Sequence, residues 1–151
     1  EEQKKLATSM ELKALQSQIN PHFLFNIINT IASLVRTDPQ KAREMLREFA
    51  VFYRQTLENS SDLITLAREV EQTRRYLLLE QARFGEERLA VETAIDDDVL
   101  SMSVPAFMIQ PLVENSVKHA MPAEGKLTIS ITAETKGDDV YIYVSDDGIL
   151  W

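Results

Sequence analysis

The sequence predicts an α+β protein in two parts, a helical first half and an α/β second half. Three observations predict it. Apolar residues between Leu6 and Phe84 recur at helical spacing in three stretches, the period of helices with buried faces. The first glycine, Gly85, then marks a shift in composition. Beyond it, residues 88–95, 126–134 and 139–146 alternate apolar and polar, the period of half-buried strands, around one further helical stretch. The domains read from this pattern are residues 1–84 and 85–151.

In chain order, residues 3–36 read as one long helix. Leu6, Met10, Leu12, Leu15 and Ile19 make a seam that turns polar at His22, Asn26 and Asn29. Pro21 within that pattern predicts a kink, because proline removes a backbone donor and crowds the preceding turn. The plainer alternative is a helix start, where proline is harmless. A second stripe, Phe23, Ile27, Ile31 and Leu34, is widened by Leu24, Ile28 and Val35. A helix apolar over so much of its circumference is buried on more than one side. Two helices of one chain do not provide that; an antiparallel hairpin paired with a second copy, a dimeric four-helix bundle, does.

Asp38-Pro39 starts the next helix, with Asp as N-cap and Pro at the first helical position. It runs to about Asn59, with Ala42, Met45, Leu46, Phe49, Ala50, Tyr53, Thr56 and Leu57 inward. After the polar break 59–62, Thr65 caps a third helix over 66–83. Leu66, Val70, Leu77 and Phe84 form its apolar side, and Arg68, Glu69, Arg74, Arg75 and Arg83 its solvated face. Asp96-Asp97-Asp98 reads as a solvated turn, since its spacing differs from that of a calcium loop. Pro105 opens a helix over 106–120, and Gly137-Asp138 separates the strands of a hairpin.

Composition excludes several functions. The net charge of −8 disfavours direct binding of nucleic acid through its phosphates. The absence of cysteine excludes disulfides, thiolate zinc sites and cysteine nucleophiles. No apolar run approaches the roughly 20 residues needed to span a bilayer. The charged, polar start is not a signal peptide, and both ends suggest a fragment of a longer protein.

Three short motifs carry chemistry. In Asn20–Asn26, NPHFLFN, His22 is a reactive imidazole, and Asn26 lies four residues on along the same face. In Pro111–Ala120, PLVENSVKHA, the residues Asn115, Lys118 and His119 share one helix face. An amide oxygen, an ammonium and an imidazole together suit a nucleotide phosphate and its magnesium, which prefers oxygen ligands; the alternative is a solvated face. In Val144–Gly148, VSDDG, a carboxylate at a strand end beside a glycine could accept a bond from an exocyclic amine; the alternative is an ordinary Asp-Gly turn.

These motifs, in this order, resemble the LytS-type sensor histidine kinase family. That family's histidine segment reads NPHFLFN, as residues 20–26 do. Its later helix reads close to QPLVENAIKHA, which Gln110–Ala120 matches with Ser116 at the variable place. Its RF-G-x-R-L segment is matched by Arg83–Leu89 with one residue extra. The resemblance covers nearly the whole chain. It implies a dimerisation and phosphotransfer domain with His22 as phosphoacceptor, followed by a truncated GHKL (Bergerat-type) α/β sandwich that binds ATP and Mg2+. Asn115 would hold magnesium, Asp146 would recognise adenine, Gly148 would be the glycine of that box, and Lys118 and His119 would lie near the phosphates. It also implies a response regulator partner, often one with a LytTR-type DNA-binding domain. The location implied is the cytoplasmic side of a bacterial inner-membrane protein, anchored by upstream segments.

Neutral imidazole would attack the γ-phosphorus in line while magnesium neutralises charge. Asn26 would orient the imidazole or a hydrolytic water. No carboxylate follows His22 directly. The chain departs from the family's pattern at Leu150, where a second glycine is usual, and it ends before the glycine-rich lid segment, so weak or no ATP binding is expected of it alone. The rival readings are a non-catalytic dimerisation scaffold with a degenerate ATPase half and a GHKL ATPase without phosphohistidine. Pro111, in place of an acidic base four residues before Asn115, argues against the latter.

Overall fold

In a computed structural model of the chain, residues 20–58 and 63–149 are described. The chain divides between residues 60 and 61 into two compact units.

The first unit holds two helices, α1 (Pro21–Thr37) and α2 (Pro39–Glu58). The single helix expected over 3–36 does not run through Pro21. Asn20 is extended, with φ −60° and ψ 115°, and α1 begins at the proline. The proline ring disfavours a helical residue before it, and an extended Asn is the conformation that caps. The Asn20 carboxamide oxygen accepts the backbone N–H groups of His22 (2.9 Å) and Phe23 (3.4 Å). The seam expected at Leu6–Ile19 lies outside the described residues.

Asp38 alone joins the helices. Its N–H donates to the Leu34 carbonyl (2.8 Å), and its carboxylate accepts the Lys41 N–H (3.2 Å), so one residue ends α1 and caps α2. The helices pack antiparallel, and Phe23 near the start of α1 meets Phe52 near the end of α2 edge to face, with ring centroids 5.6 Å apart. Ile27, Ala42, Met45, Phe52 and Thr56 complete the buried stripe. Leu46, Tyr53 and Leu57, expected inward, are exposed, and Phe52 takes the inner place. A hairpin of two helices buries one stripe of each; Phe25, Ile28 and Val35 are left outside with them.

The second unit contains β1 (Leu63–Thr65), α3 (Leu66–Phe84), β2 (Leu89–Ile95), a 3-10 turn (Asp97–Val99), β3 (Ser103–Pro105), α4 (Gln110–Ala120), β4 (Leu127–Lys136) and β5 (Asp139–Asp146). The three-stranded sheet has the order β2-β4-β5. β2 and β4 are parallel, and β4 and β5 form the antiparallel hairpin expected around Gly137, whose φ is +65°. Leu127, Ile129, Ile131 and Ala133 alternate into the core, where α4 contributes Val113, Val117 and Ala120, and α3 contributes Leu66, Val70 and Leu77.

Two expectations change here. α3 packs on β2 and α4, inside the second unit. Gly85, at φ +106°, ends that helix by donating its N–H to the Gln81 carbonyl, so the shift in composition there marks a helix end and not the edge of a compact unit. Pro105 does not open a helix. It closes β3, which pairs with β1 in register Leu63↔Pro105, and α4 begins only at Gln110. The Arg88 guanidinium explains part of the segment at 83–89: it donates to the carbonyls of Gly125 (2.7 Å) and Pro122, fastening the start of β2 to the loop before β4.

Phe52→Ala is expected to destabilise the helical unit by about 3–5 kcal/mol, the usual cost of emptying a buried aromatic site. Urea unfolding followed by far-ultraviolet circular dichroism measures it.

Candidate functional site

The site in the second unit is organised by α4, whose N-terminus has an unusual cap. Ile109 stands at the N-cap position with no side-chain bond. The cap comes from α3 instead. Glu69, only 1% exposed, accepts the Phe107 N–H on Oε1 (3.1 Å) and the Ile109 and Gln110 N–H groups on Oε2 (2.8 and 3.1 Å). A carboxylate there satisfies donors that a helix leaves orphaned and faces the positive end of its dipole. The same bond holds Phe107 at φ +61°, a left-handed conformation that costs a non-glycine residue on the order of 1–2 kcal/mol. Glu69 is therefore corrected from the solvated face of α3 to a buried anchor for α4.

Further along α3, Glu80 is buried and takes both Arg83 Nε (3.1 Å) and Arg83 Nη2 (3.2 Å), so Arg83 also leaves the solvated face. The Tyr76 hydroxyl donates to Glu80 Oε2 (3.4 Å), and burial, with the Glu80 and Glu114 carboxylates, pushes its phenol well above the ordinary value. Glu114 on α4 is half-buried. Burial raises its carboxyl pKa above 4.5, against a bond from Gln110 Nε2 (3.3 Å) that lowers it, and Glu80 raises it further.

At the opposite end of α4 the second and third motifs meet. Asp146 ends β5 with both carboxylate oxygens engaged: Oδ2 accepts the Ser116 hydroxyl (2.9 Å), and Oδ1 accepts the Gly148 N–H (3.0 Å). Asp147 pairs with the start of β4 through Thr128, whose N–H donates to its Oδ1 (2.7 Å). The Ile149 N–H then donates to the Ala120 carbonyl (3.0 Å). Gly148 lies so close to α4 that a Cβ there would collide with the Ala120 carbonyl oxygen and come within 2.6 Å of Leu127 Cδ1. The glycine is required by close approach of the chain to the helix.

Asn115, Lys118 and His119 share the exposed side of α4, next to the position that touches Asp146. An exposed carboxamide oxygen is a hard donor of the kind magnesium takes. Among the described residues no group of three or more His, Asp and Glu side chains is arranged to hold a metal ion, and Asp97 and Asp98 instead form the 3-10 turn. In the first unit His22 is exposed on the first turn of α1, and Asn26 follows one turn later, half-buried.

Sequence reasoning missed three residues. Asn20 was legible, since Asn before Pro at a helix start is an N-cap signal. Ser116 precedes two of the named residues by two and three positions, but its partner is thirty residues away. Glu69 carried no signal, being one charge among many.

The family model described as "Histidine kinase" matches residues 10–89. The chain is 42% identical over 150 residues to the sensor protein LytS of Staphylococcus haemolyticus, covering 98% of this chain and 26% of that protein. It is 38% identical over 154 residues to the sensor histidine kinase BtsS of Escherichia coli K12, covering 100% of this chain and 27% of the relative. It is 43% identical over 152 residues to the sensor histidine kinase/phosphatase LytS of Staphylococcus aureus MRSA252, covering 98% and 26%. The chain thus spans about a quarter of the length of these relatives. It belongs to the histidine kinase family, in the LytS-type branch identified from its motifs. Among the described residues no helix is long and apolar enough to cross a membrane.

Glu69→Ala leaves three backbone donors without their acceptor and is expected to cost at least about 3 kcal/mol, roughly 1–3 for each donor left buried; Glu69→Gln, which keeps one acceptor oxygen, costs less. Denaturant unfolding, with amide exchange at Ile109 and Gln110, checks both. Glu114 gives a pH dependence. Its folded pKa is raised, so the unfolded chain ionises first, and stability falls as pH rises from about 4.5 to the raised value. Glu114→Gln is expected to flatten that fall, read from denaturation midpoints across the window.

Proposed function

We propose that this chain is the cytoplasmic part of a two-component sensor histidine kinase, in which ATP phosphorylates His22 and the phosphoryl group passes to an aspartate of a response regulator, which can be of the LytTR type. The observation that carries the reading is the first turn of α1. Asn20 caps it, Pro21 starts it, and His22 is presented to solvent in a chain of this family. A nucleophilic imidazole needs one bare nitrogen open to the incoming phosphorus, and an exposed position two residues into a helix provides that.

In this reading Asp146 recognises the exocyclic amine of adenine, Gly148 packs the turn against α4 with its N–H on the Asp146 carboxylate, and Asn115 would supply an oxygen ligand to magnesium, whose remaining ligands would come from phosphates and water. Lys118 and His119 face the phosphates. Magnesium, when bound, neutralises charge on the transferring group.

The exposed apolar residues Phe25, Ile28, Val35, Leu46, Tyr53 and Leu57 support a homodimer in which two hairpins form a four-helix bundle. The membrane connection would lie in segments upstream. Asn26, one turn from His22, would orient the imidazole or a water that hydrolyses the regulator's phosphoaspartate; the second role accords with the kinase/phosphatase name of the Staphylococcus aureus relative.

The test is phosphorylation of the full-length protein with γ-labelled ATP and magnesium. Wild type is expected to carry acid-labile, alkali-stable label and His22→Ala none. Label persisting in His22→Ala, or absent from wild type while the dimer is intact, would turn the reading toward a dimerisation scaffold. Asn26→Ala with unchanged labelling and unchanged dephosphorylation would remove the role given to Asn26.

A further inference from the structure

The reading of Asp146 leaves open what holds its carboxylate. An aspartate side chain turns freely about its last bond, where the torsion is broad and twofold. An unrestrained carboxylate can accept from an exocyclic amine, but it can equally accept from the ring N–H of a 6-oxopurine. Here both oxygens are engaged from different directions. The Gly148 N–H reaches Oδ1 from within the same turn, and the Ser116 hydroxyl reaches Oδ2 from α4. Each carboxylate oxygen offers about two acceptor sites, so one on each remains for a ligand.

The choice made by Ser116 is informative. A helical serine commonly donates to a carbonyl on the preceding turn of its own helix. Ser116 instead donates across to a residue thirty positions away, from a position only 5% exposed. Its neighbour Asn115 stands on the exposed side. One turn of α4 therefore presents a metal-type ligand outward and orients the carboxylate at the end of β5. This bond also commits the hydroxyl proton to Asp146, so Ser116 has no proton to offer a 6-oxo group.

We propose that Ser116 is a specificity-determining residue: by locking the Asp146 carboxylate, it makes the site select a 6-aminopurine nucleotide over purines that lack the amine or carry oxygen in its place. The proposal rests on the reading of Asp146 as the group that recognises adenine.

The test compares ATP with purine riboside triphosphate, which lacks the 6-amino group, on the full-length protein with magnesium, by equilibrium binding. Ser116→Ala removes one hydroxyl and places a better helix former in α4, so the fold is retained. In wild type ATP is expected to bind at least tenfold more tightly than the analogue. In Ser116→Ala affinity for ATP is expected to fall about tenfold while affinity for the analogue changes less than about twofold, the asymmetry of a site that loses a charged hydrogen-bonding group's alignment. ITP, with its 6-oxo group, is expected to gain relative to ATP in the same variant. A loss equal for ATP and the analogue would mean that Ser116 only supports the fold of the site, and would overturn the proposal while leaving Asp146 its role. A wild-type protein that binds ATP and the analogue equally would overturn the reading of Asp146, and the proposal with it.

Discussion

A buried carboxylate from one helix holds the start of another. Glu69 on α3 takes three backbone N–H groups at the head of α4, and α4 carries every polar residue that the second unit brings to its candidate site except those of the strand end. Leaving buried donors unpaired costs roughly 1–3 kcal/mol each, so the cap weighs heavily against a stability of the usual size for a domain. With its head anchored, α4 sets where its far end lies, and that far end meets the Asp146–Gly148 turn. The left-handed Phe107 stays in place because the same carboxylate holds it.

The first unit follows a different constraint. A single residue joins two helices, so they must be antiparallel and can bury only one stripe each. Phe25, Ile28, Val35, Leu46, Tyr53 and Leu57 are left exposed on the two helices. Such a face is costly in isolation and economical when covered, which is why a second copy is the natural partner in the proposed reading. Asn20 and Pro21 perform the local work that makes His22 available: proline sets the break, asparagine satisfies the donors, and the histidine follows on an exposed turn.

Much of this was legible. The helices at 39–58 and 66–84, the strand at 89–95 and the hairpin around Gly137 all follow from apolar period and turn chemistry. The errors fell where local signals conflict. Pro21 sits within a continuing apolar period, and the period suggested a kink where the capping chemistry made a start. Pro105 precedes an apolar stretch, yet β-pairing with residues forty positions back made it a strand end. Leu46, Tyr53 and Leu57 read as inward, and a single hairpin leaves them exposed, because period alone does not say how many partners a helix has.

The sequence by itself determined the two-part α+β order, the family, and the residues proposed to carry chemistry, because those are written in period, turn residues and short motifs. Tertiary structure alone decided that α3 belongs with the sheet, that Glu69 is buried under α4, and that Ser116 reaches Asp146. Each of these depends on a contact between residues far apart in sequence. Whether a charge is solvated or buried against a helix end is settled by what packs over it, and no local pattern in the chain encodes that.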